Sequence, residues 1–518
     1  MLRNLRNGRR LVSIAIILAR EDALFIFREL GIAPAVASIA QYIFGRRKKG
    51  VREGERLATA LEKLGPTFIK LGQALSTRSD LIGEELAMDL SRLRDDLPPF
   101  PSAIARQIIE EELEGPLGAF FQHFEGEPVA AASIAQVHKA ITNDGHDVAV
   151  KILRPDIEKA FARDLDLFEW IAELLERNIE RSRRLKPMEV MRTFRESVFF
   201  ELDLRFEAAA ATELTENMKR HDTGLRIPVI DWSMTSKRVL TMEWVDGISF
   251  NDIEAIKASG HDTDRILQKA ADSLFYQVFH DGFFHADLHP GNLFLDKNGD
   301  IVVVDFGIMG RLDIHSRMYI AEILRGFLEE DYQHVADVHF RAGYVPPSKS
   351  REAFRQACMA VAKPIMGRPL NEISVAKLLG QMFAIATEFE METQPQLLLM
   401  QKTMMLTEGM GRMLNPKLNT WELSRPLIER WATEQFGASG KMKEALREGA
   451  ENIRKLPQIM RDVETMIGHF SDPAGIRLHP ASIEKLYLQR KQQHRQWLSL
   501  GWIGVGIATL ACALLILQ

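Results

Sequence analysis

The sequence predicts an α+β fold of two lobes, preceded by a helical extension and followed by a C-terminal transmembrane helix. Three observations carry that expectation. In the middle of the chain, Val148, Val150 and Ile152 alternate just after Asn143-Asp144-Gly145, the pattern of paired strands joined by a tight turn. From residue 155 onward, long charged segments with helical patterning take over, and strands followed by helices mark an α+β chain. The last 22 residues carry no charge.

Taken in order, residues 1–54 read as a basic leader. Residues 1–50 hold ten Lys and Arg against Glu21, Asp22 and Glu29. The apolar stretch Leu11–Ala19 stops at Arg20-Glu21-Asp22. It is too short to span a bilayer, and no small-residue cleavage site follows, so no secretory signal is expected. An ordinary helix and a membrane-touching amphipathic helix both fit it. Residues 55–125 read as the helical extension. Pro66 suits a first helical turn, Phe68, Leu71 and Leu75 recur at helical spacing, Leu97–Pro101 breaks the pattern, and 102–125 is helical again.

Residues 126–247 read as the first lobe, with strands on either side of the hairpin signal, helices over 155–220 and a strand in Arg238–Gly247. Residues 248–430 read as a helical second lobe, in which a helix over 262–282 leads into an apolar segment and a short buried strand ends at Asp305. A helical linker over 431–496 and the apolar helix 497–517 complete the chain.

That last segment has 21 uncharged residues, about 31 Å of helix against a bilayer core of roughly 30 Å. Trp497 and Trp502 stand near its start, and Arg490, Lys491 and Arg495 precede it. The basic flank predicts a single-pass anchor in a bacterial inner membrane, with the bulk of the chain in the cytoplasm. Gly504 and Ala508 have the small-residue spacing of paired membrane helices, so a homodimer is one expectation. A net charge of −5 gives no general reason to expect nucleic acid. Two distant cysteines, Cys358 and Cys512, can build neither a disulfide framework nor a thiolate zinc site, as in a reducing compartment.

The chemistry concentrates in FFHADLHPGNLFLDKNGDIVVVDFGIMG, residues 283–310. Phosphoryl transfer needs a carboxylate to orient the attacking group, oxygen ligands for Mg²⁺ and a cation on the phosphates. Asp287 suits the first, catalytic role; Asn292 and Asp305 suit the second, as metal ligands. Asp-x4-Asn, then an apolar strand and Asp-Phe-Gly, is the catalytic-loop pattern of protein kinases, with Ala286 where they carry Arg. The two lobes are therefore expected to be protein-kinase-like. The alternation of His285, Asp287 and His289 leaves a transition-metal site as a second reading, but no further His or Cys cluster supports it. His285 is read as a structural residue beneath the loop.

A kinase-type site also needs a strand lysine, and Lys151 ends the strand Val-Ala-Val-Lys. The helices that follow offer Glu201, Asp203 and Glu207 as its carboxylate partner. No Gly-x-Gly-x-x-Gly precedes Lys151; the phosphate-covering position holds Val129-Ala130-Ala131-Ala132-Ser133-Ile134-Ala135-Gln136. Glycine lets backbone amides approach phosphate and tolerates positive φ, so an alanine loop must grip nucleotide differently. Glu243 and Val245 fall where a hinge would touch adenine. Gly437–Lys441 lacks the first glycine of a phosphate loop, with Gln435 in its place, and is set aside.

These pieces, with Lys70-Leu71-Gly72-Gln73, Ser76–Leu81, Glu201-Leu202-Asp203 and Lys402–Pro416, resemble the UbiB/ABC1/ADCK group of atypical kinase-like proteins from about residue 55 to about residue 415. Lys-x-Gly-Gln and the alanine loop are specific to that group, whereas His-x-Asp-x4-Asn and Asp-Phe-Gly are common to kinases. Arg205-Phe206 and Ala208–Ala211 depart from its commoner wording. The resemblance implies that the extension lays Lys70 and Gln73 across the active site near Glu201 and Asp203, while Lys151 pairs with Glu207. It further implies ATP or ADP with Mg²⁺ as cofactors, a role in ubiquinone biosynthesis, and quinone precursors, membrane lipid and enzymes of that pathway as partners. A nucleotide-gated scaffold or lipid-extracting protein is the alternative from another class. A small-molecule phosphotransferase of the aminoglycoside or choline kinase type is a further enzymatic one.

Overall fold

The structure, a computed structural model, describes residues 2–25, 50–76, 82–90, 97–178, 187–221, 223–364 and 395–415, together with 93, 381, 384–386, 388–391 and 427. All of them lie in one compact unit, Met1–Ala432. The apolar segment 497–517 lies outside the described residues, and among those described no helix is long and apolar enough to cross a membrane.

Helix α1 (Leu2–Arg20) contains the apolar run of the leader. Ile14, Leu18 and Ala19 are buried in the same core as Leu57, Leu61 and Leu64 of α2 (Glu53–Leu64). Asn7 donates to Asp166 at 3.3 Å, and Arg10 binds both oxygens of buried Asp164 at 3.0 and 3.1 Å. The leader helix thus packs on the body of the protein. Pro66 opens α3 (Pro66–Ser76), as its fixed φ favours, and α4 (Glu84–Leu90) follows.

Helix α5 (Ser102–Glu112) ends earlier than expected. Glu114 takes φ +56°, which a helix cannot continue through. The chain then forms strand β1 (Phe121–Phe124), so the end of the 55–125 segment belongs to the first lobe's sheet. β2 (Ala130–Ala131), β3 (Ala135–Thr142) and β4 (Asp147–Leu153) come next. Gly145, at φ +85°, turns the chain between β3 and β4, fulfilling the Asn-Asp-Gly signal.

Helices α6 (Ile157–Asn178), α7 (Pro187–Glu201) and α8 (Leu204–Met218) lead to β5 (Leu225–Arg226), β6 (Ile230–Asp231), β7 (Val239–Glu243) and β8 (Gly247–Ser249). The first-lobe sheet is antiparallel in the order β1-β3-β4-β7-β6, with β2 on β3.

Period-2 alternation gives this sheet two uses. Val148, Val150 and Ile152 bury against Ile108 and Ile109 of α5. Ala149, Lys151 and Leu153 therefore point to the opposite face, where Leu153, Leu240 and Met242 share a core with the helical extension and α6–α8. Lys151 is delivered into the space between the lobes by strand geometry alone.

The second lobe starts with α9 (Ile253–Ala258) and α10 (Thr263–Phe275), which runs into a π-helical turn over Tyr276–Asp281. β9 (Phe283–His285), β10 (Leu293–Asp296), β11 (Ile301–Val303) and β12 (Met309–Arg311) carry the catalytic segment. The short strand expected to end at Asp305 ends two residues sooner. β9 pairs with β12, and β10 and β11 form a hairpin inside the order β5-β11-β10-β8. Helices α11 (Ile314–Leu328), α12 (Tyr332–Arg341), α13 (Arg351–Ala362) and α14 (Pro395–Leu414) complete the described chain. Cys358 is buried in α13, and burial pushes its thiol up to about 12, so it is unreactive.

Candidate active site

The core of the site is a triad of charges, in which Lys151 and Glu207 are largely buried and Asp305 is half-exposed. Lys151 Nζ lies 2.8 and 2.9 Å from the two oxygens of Glu207 and 3.1 Å from Asp305 Oδ1. Of the three carboxylates proposed from sequence, Glu207 is the partner, placed one turn into α8. Burial works against the lysine's charge, but Asp305 and Glu207 outweigh it and hold Lys151 above the ordinary lysine range. Desolvation by the surrounding protein also penalises Asp305, yet Lys151, followed by Lys70, keeps it well below the usual carboxylate range. Glu207 is only 7% exposed; burial, together with the neighbouring charge of Asp305, pushes its carboxyl up despite Lys151. One cation between two acids favours the more open one, Asp305, which is 50% exposed.

Asp305 takes φ +64°, the left-handed region that a non-glycine residue enters only where surroundings enforce it. Phe306, fully buried, enforces it: its N–H approaches Glu207 Oε1 at 3.4 Å, and its ring packs edge-on against His285. His285 accepts the Asp287 N–H on Nδ1 at 3.1 Å and lies 2.7 Å from the Asp305 carbonyl through Nε2. The ring therefore carries its proton on Nε2 and ties the catalytic loop to Asp-Phe-Gly. Both nitrogens are used, which removes His285 from the transition-metal reading. His289 likewise caps Gly291 through Nδ1 at 3.1 Å.

Asn292 is nearly buried and donates to the Asp287 carbonyl at 3.2 Å. Val304 N–H donates to the Asn292 carbonyl at 2.9 Å, so the β10–β11 hairpin holds Asn292 beside Asp305. A carboxylate kept ionised and an amide oxygen are hard donors of the kind Mg²⁺ prefers. The donor set fits that ion.

The extension reaches the site. Lys70 Nζ sits 2.8 Å from Glu201 Oε2 at the end of α7, both side chains largely buried. Gln73, one turn on, is half-buried on α3. Asp203 turns elsewhere: it caps α8 and is gripped by Arg205 at 2.9 and 2.7 Å. Arg205, one of the departures from the family's wording, thus engages the second acid of Glu-x-Asp.

The alanine loop is a tight hairpin. Val129 N–H donates to Val137 at 2.8 Å and Ala132 N–H to Ala135 at 2.7 Å, with Ala130 and Ala131 paired to β3. Ser133 and Ile134 form its tip, and Arg154 braces it through Nε to the Ala132 carbonyl at 2.9 Å. Gln136 is spent on the Phe100 backbone, at 3.0 and 3.3 Å, so its side chain is a structural tie to the Leu97–Pro101 segment before α5. At the hinge, the Glu243 carboxylate is held by Arg226 at 2.7 Å, and Val245 is half-buried.

One site residue escaped sequence reasoning. Lys402 of α14 donates to Asp287 Oδ1 at 2.8 Å, and the neighbouring Thr403 hydroxyl donates to the His285 carbonyl at 3.2 Å. A lysine on a helix 115 positions downstream carries no local signal of this role. Elsewhere His221, His280 and Asp281 gather at the π-helical turn. Arg220 stands 3.9 Å from Asp281, and His280 lies 3.1 Å from it.

A profile of the ABC1 atypical kinase-like domain matches residues 92–339, and one of the UbiB helical domain matches residues 358–419. The chain is 40% identical over 451 residues to the probable protein kinase UbiB of Marinobacter nauticus, covering 86% of this chain and 82% of that one. It is 40% identical over 417 residues to the protein of the same name from Shewanella pealeana, covering 79% and 76%. The solved complex of Rv3197 with erythromycin from Mycobacterium tuberculosis aligns at TM-score 0.47 and 24% identity, over 72% of this chain and 95% of that chain.

Proposed function

Since the chain belongs to the UbiB/ABC1 family of atypical kinase-like proteins, we propose that it is a membrane-anchored phosphotransferase or ATPase that uses Mg²⁺-nucleotide in support of ubiquinone biosynthesis. The observation that carries this reading is Lys151 held between Glu207 and Asp305. A lysine so placed is charged and fixed, ready to bind α- and β-phosphates. Asp305 and Asn292 would hold Mg²⁺, whose chemistry when bound is to neutralise charge on the phosphates. Asp287 would orient the acceptor hydroxyl and take its proton. The hairpin Val129–Ala135, with Glu243 and Val245, would enclose the nucleotide.

The Lys70–Glu201 pair supports a restricted acceptor. It ties the extension to α7 at the site's edge, a poor arrangement for an extended peptide. The uncharged segment 497–517 supports an anchor, which would keep the site near lipid-soluble quinone precursors.

The pathway is tested by deleting the gene, profiling quinones, and complementing with wild type and Asp287→Asn. The proposal expects ubiquinone to fall in the deletion, to return with wild type and not with the variant. Normal ubiquinone in the deletion removes the pathway; full rescue by the variant supports a nucleotide-gated scaffold instead.

A further inference from the structure

We propose that Lys402 is a phosphate-contacting residue of the transfer site, brought to it by the C-terminal helical domain. The inference rests on the phosphoryl-transfer reading above and assigns a role to a residue which that reading does not use.

Lys402 is placed by construction. Thr403, fully buried, bonds the His285 carbonyl in the strand that leads into the catalytic loop. Further along α14, Met410 and Leu414 are buried in the second-lobe core, and Asn415 donates to Asp264 at 2.7 Å. The helix is thus fixed at both ends of this stretch, and Lys402 must face Asp287. Its ammonium is not sunk into a structural core: the side chain is 38% exposed and its partner Asp287 26%. It can leave the carboxylate by rotating its stem.

The charges already at the site show what Lys402 adds. Lys151 is shared between two carboxylates, and Lys70 is paired with Glu201. Lys402 is the cation bonded to the carboxylate that meets the acceptor. In transfer, the acceptor oxygen bonds to the γ-phosphorus and the bond to the β–γ bridging oxygen breaks. Nucleoside diphosphate leaves, and the acceptor's proton passes to Asp287. Negative charge spreads over the γ-oxygens during this step. Lys402 takes no part in the proton transfer; it is bonded to Asp287 before nucleotide enters and to the γ-phosphate afterwards. A preorganised cation there stabilises developing charge. Here α14, packed on the second-lobe core, completes the site.

The test uses detergent-solubilised full chain as wild type, Lys402→Met and Lys402→Arg, with Mg²⁺-ATP and Mg²⁺-ADP as probes. Lys402→Met should bind ADP within about twofold of wild type and lose roughly tenfold in its preference for ATP over ADP, the worth of one charge-assisted hydrogen bond. Its turnover in nucleotide hydrolysis should fall about 100-fold, and Lys402→Arg should regain most of the ATP preference. Faster turnover in Lys402→Met overturns the proposal in favour of an inhibitory latch. Unchanged preference and turnover reduce the pair to a structural ion bridge. A wild type that binds neither nucleotide refutes the phosphoryl-transfer reading itself, and the inference with it.

Discussion

Replacing Lys151 by Met removes the cation between two acids and leaves Glu207 in a buried position with, among the described residues, only the Phe306 N–H at 3.4 Å to bond. Breaking a buried pair costs about 3–5 kcal/mol when the abandoned charge must stay. Glu207 has an escape, because it can take up a proton. From an ordinary glutamate value near 4.3, that costs about 3.7 kcal/mol at pH 7 and about 1 kcal/mol at pH 5. The penalty of Lys151→Met is thus capped near 4 kcal/mol at neutral pH and should shrink by about 1.4 kcal/mol per unit of acidification. The sign follows from the direction of the shift. A folded pKa raised above the unfolded value gives stability that is full below the unfolded value and is lost as pH rises through the folded one. Urea unfolding of the full chain without nucleotide, at pH 7 and pH 5, measures the gap between variant and wild type. The double variant Lys151→Met/Glu207→Gln should largely abolish its pH dependence. A gap of the same size at both pH values, or none at pH 7, would refute the reasoning.

Gly282 takes φ +67°, and a β-carbon there would lie 2.5 Å from the Leu312 carbonyl oxygen. Gly282→Ala should cost about 3 kcal/mol, whereas Gly260→Ala, at φ +82° in open space, should cost about 1 kcal/mol; equal losses in thermal unfolding would show that close packing at Gly282 is unimportant. Burial lowers the pKa of His138, His285 and His339. Depressed values mean stability that is present above about pH 6.5 and is lost as pH falls through the folded values. Urea midpoints should therefore drop on acidification below that point, less steeply in His285→Gln; a flat profile from pH 7 to pH 5 contradicts this.

What could be read from sequence was what local pattern encodes. Alternation in Val148–Ile152 fixed which face Lys151 occupies, and the spacing from Asp287 through Asn292 to Asp305 placed three polar groups at the ends of one hairpin. Partner choice was less legible. Glu201, Asp203 and Glu207 lie within seven positions, and only the break between α7 and α8 sends them to Lys70, Arg205 and Lys151 respectively. Lys402 opens the segment Lys402–Pro416 that carries part of the family resemblance, but its bond to Asp287 and the tie from Gln136 to Phe100 depend on tertiary packing that local pattern does not encode. Helix α5 stops short of the expected 102–125 for a local reason, the left-handed backbone at Glu114.

The central claim, a Mg²⁺-nucleotide site centred on Lys151 and Asp305, is tested most directly by nucleotide affinity with and without Mg²⁺ in wild type and Asp305→Asn. Asparagine matches aspartate in shape and tolerates the left-handed backbone at this position, so the fold should persist. The account predicts Mg²⁺-dependent binding in the wild type and at least a tenfold loss of that dependence in the variant, roughly 1.4 kcal/mol or more. Equal Mg²⁺-dependent affinity in the two proteins would contradict it.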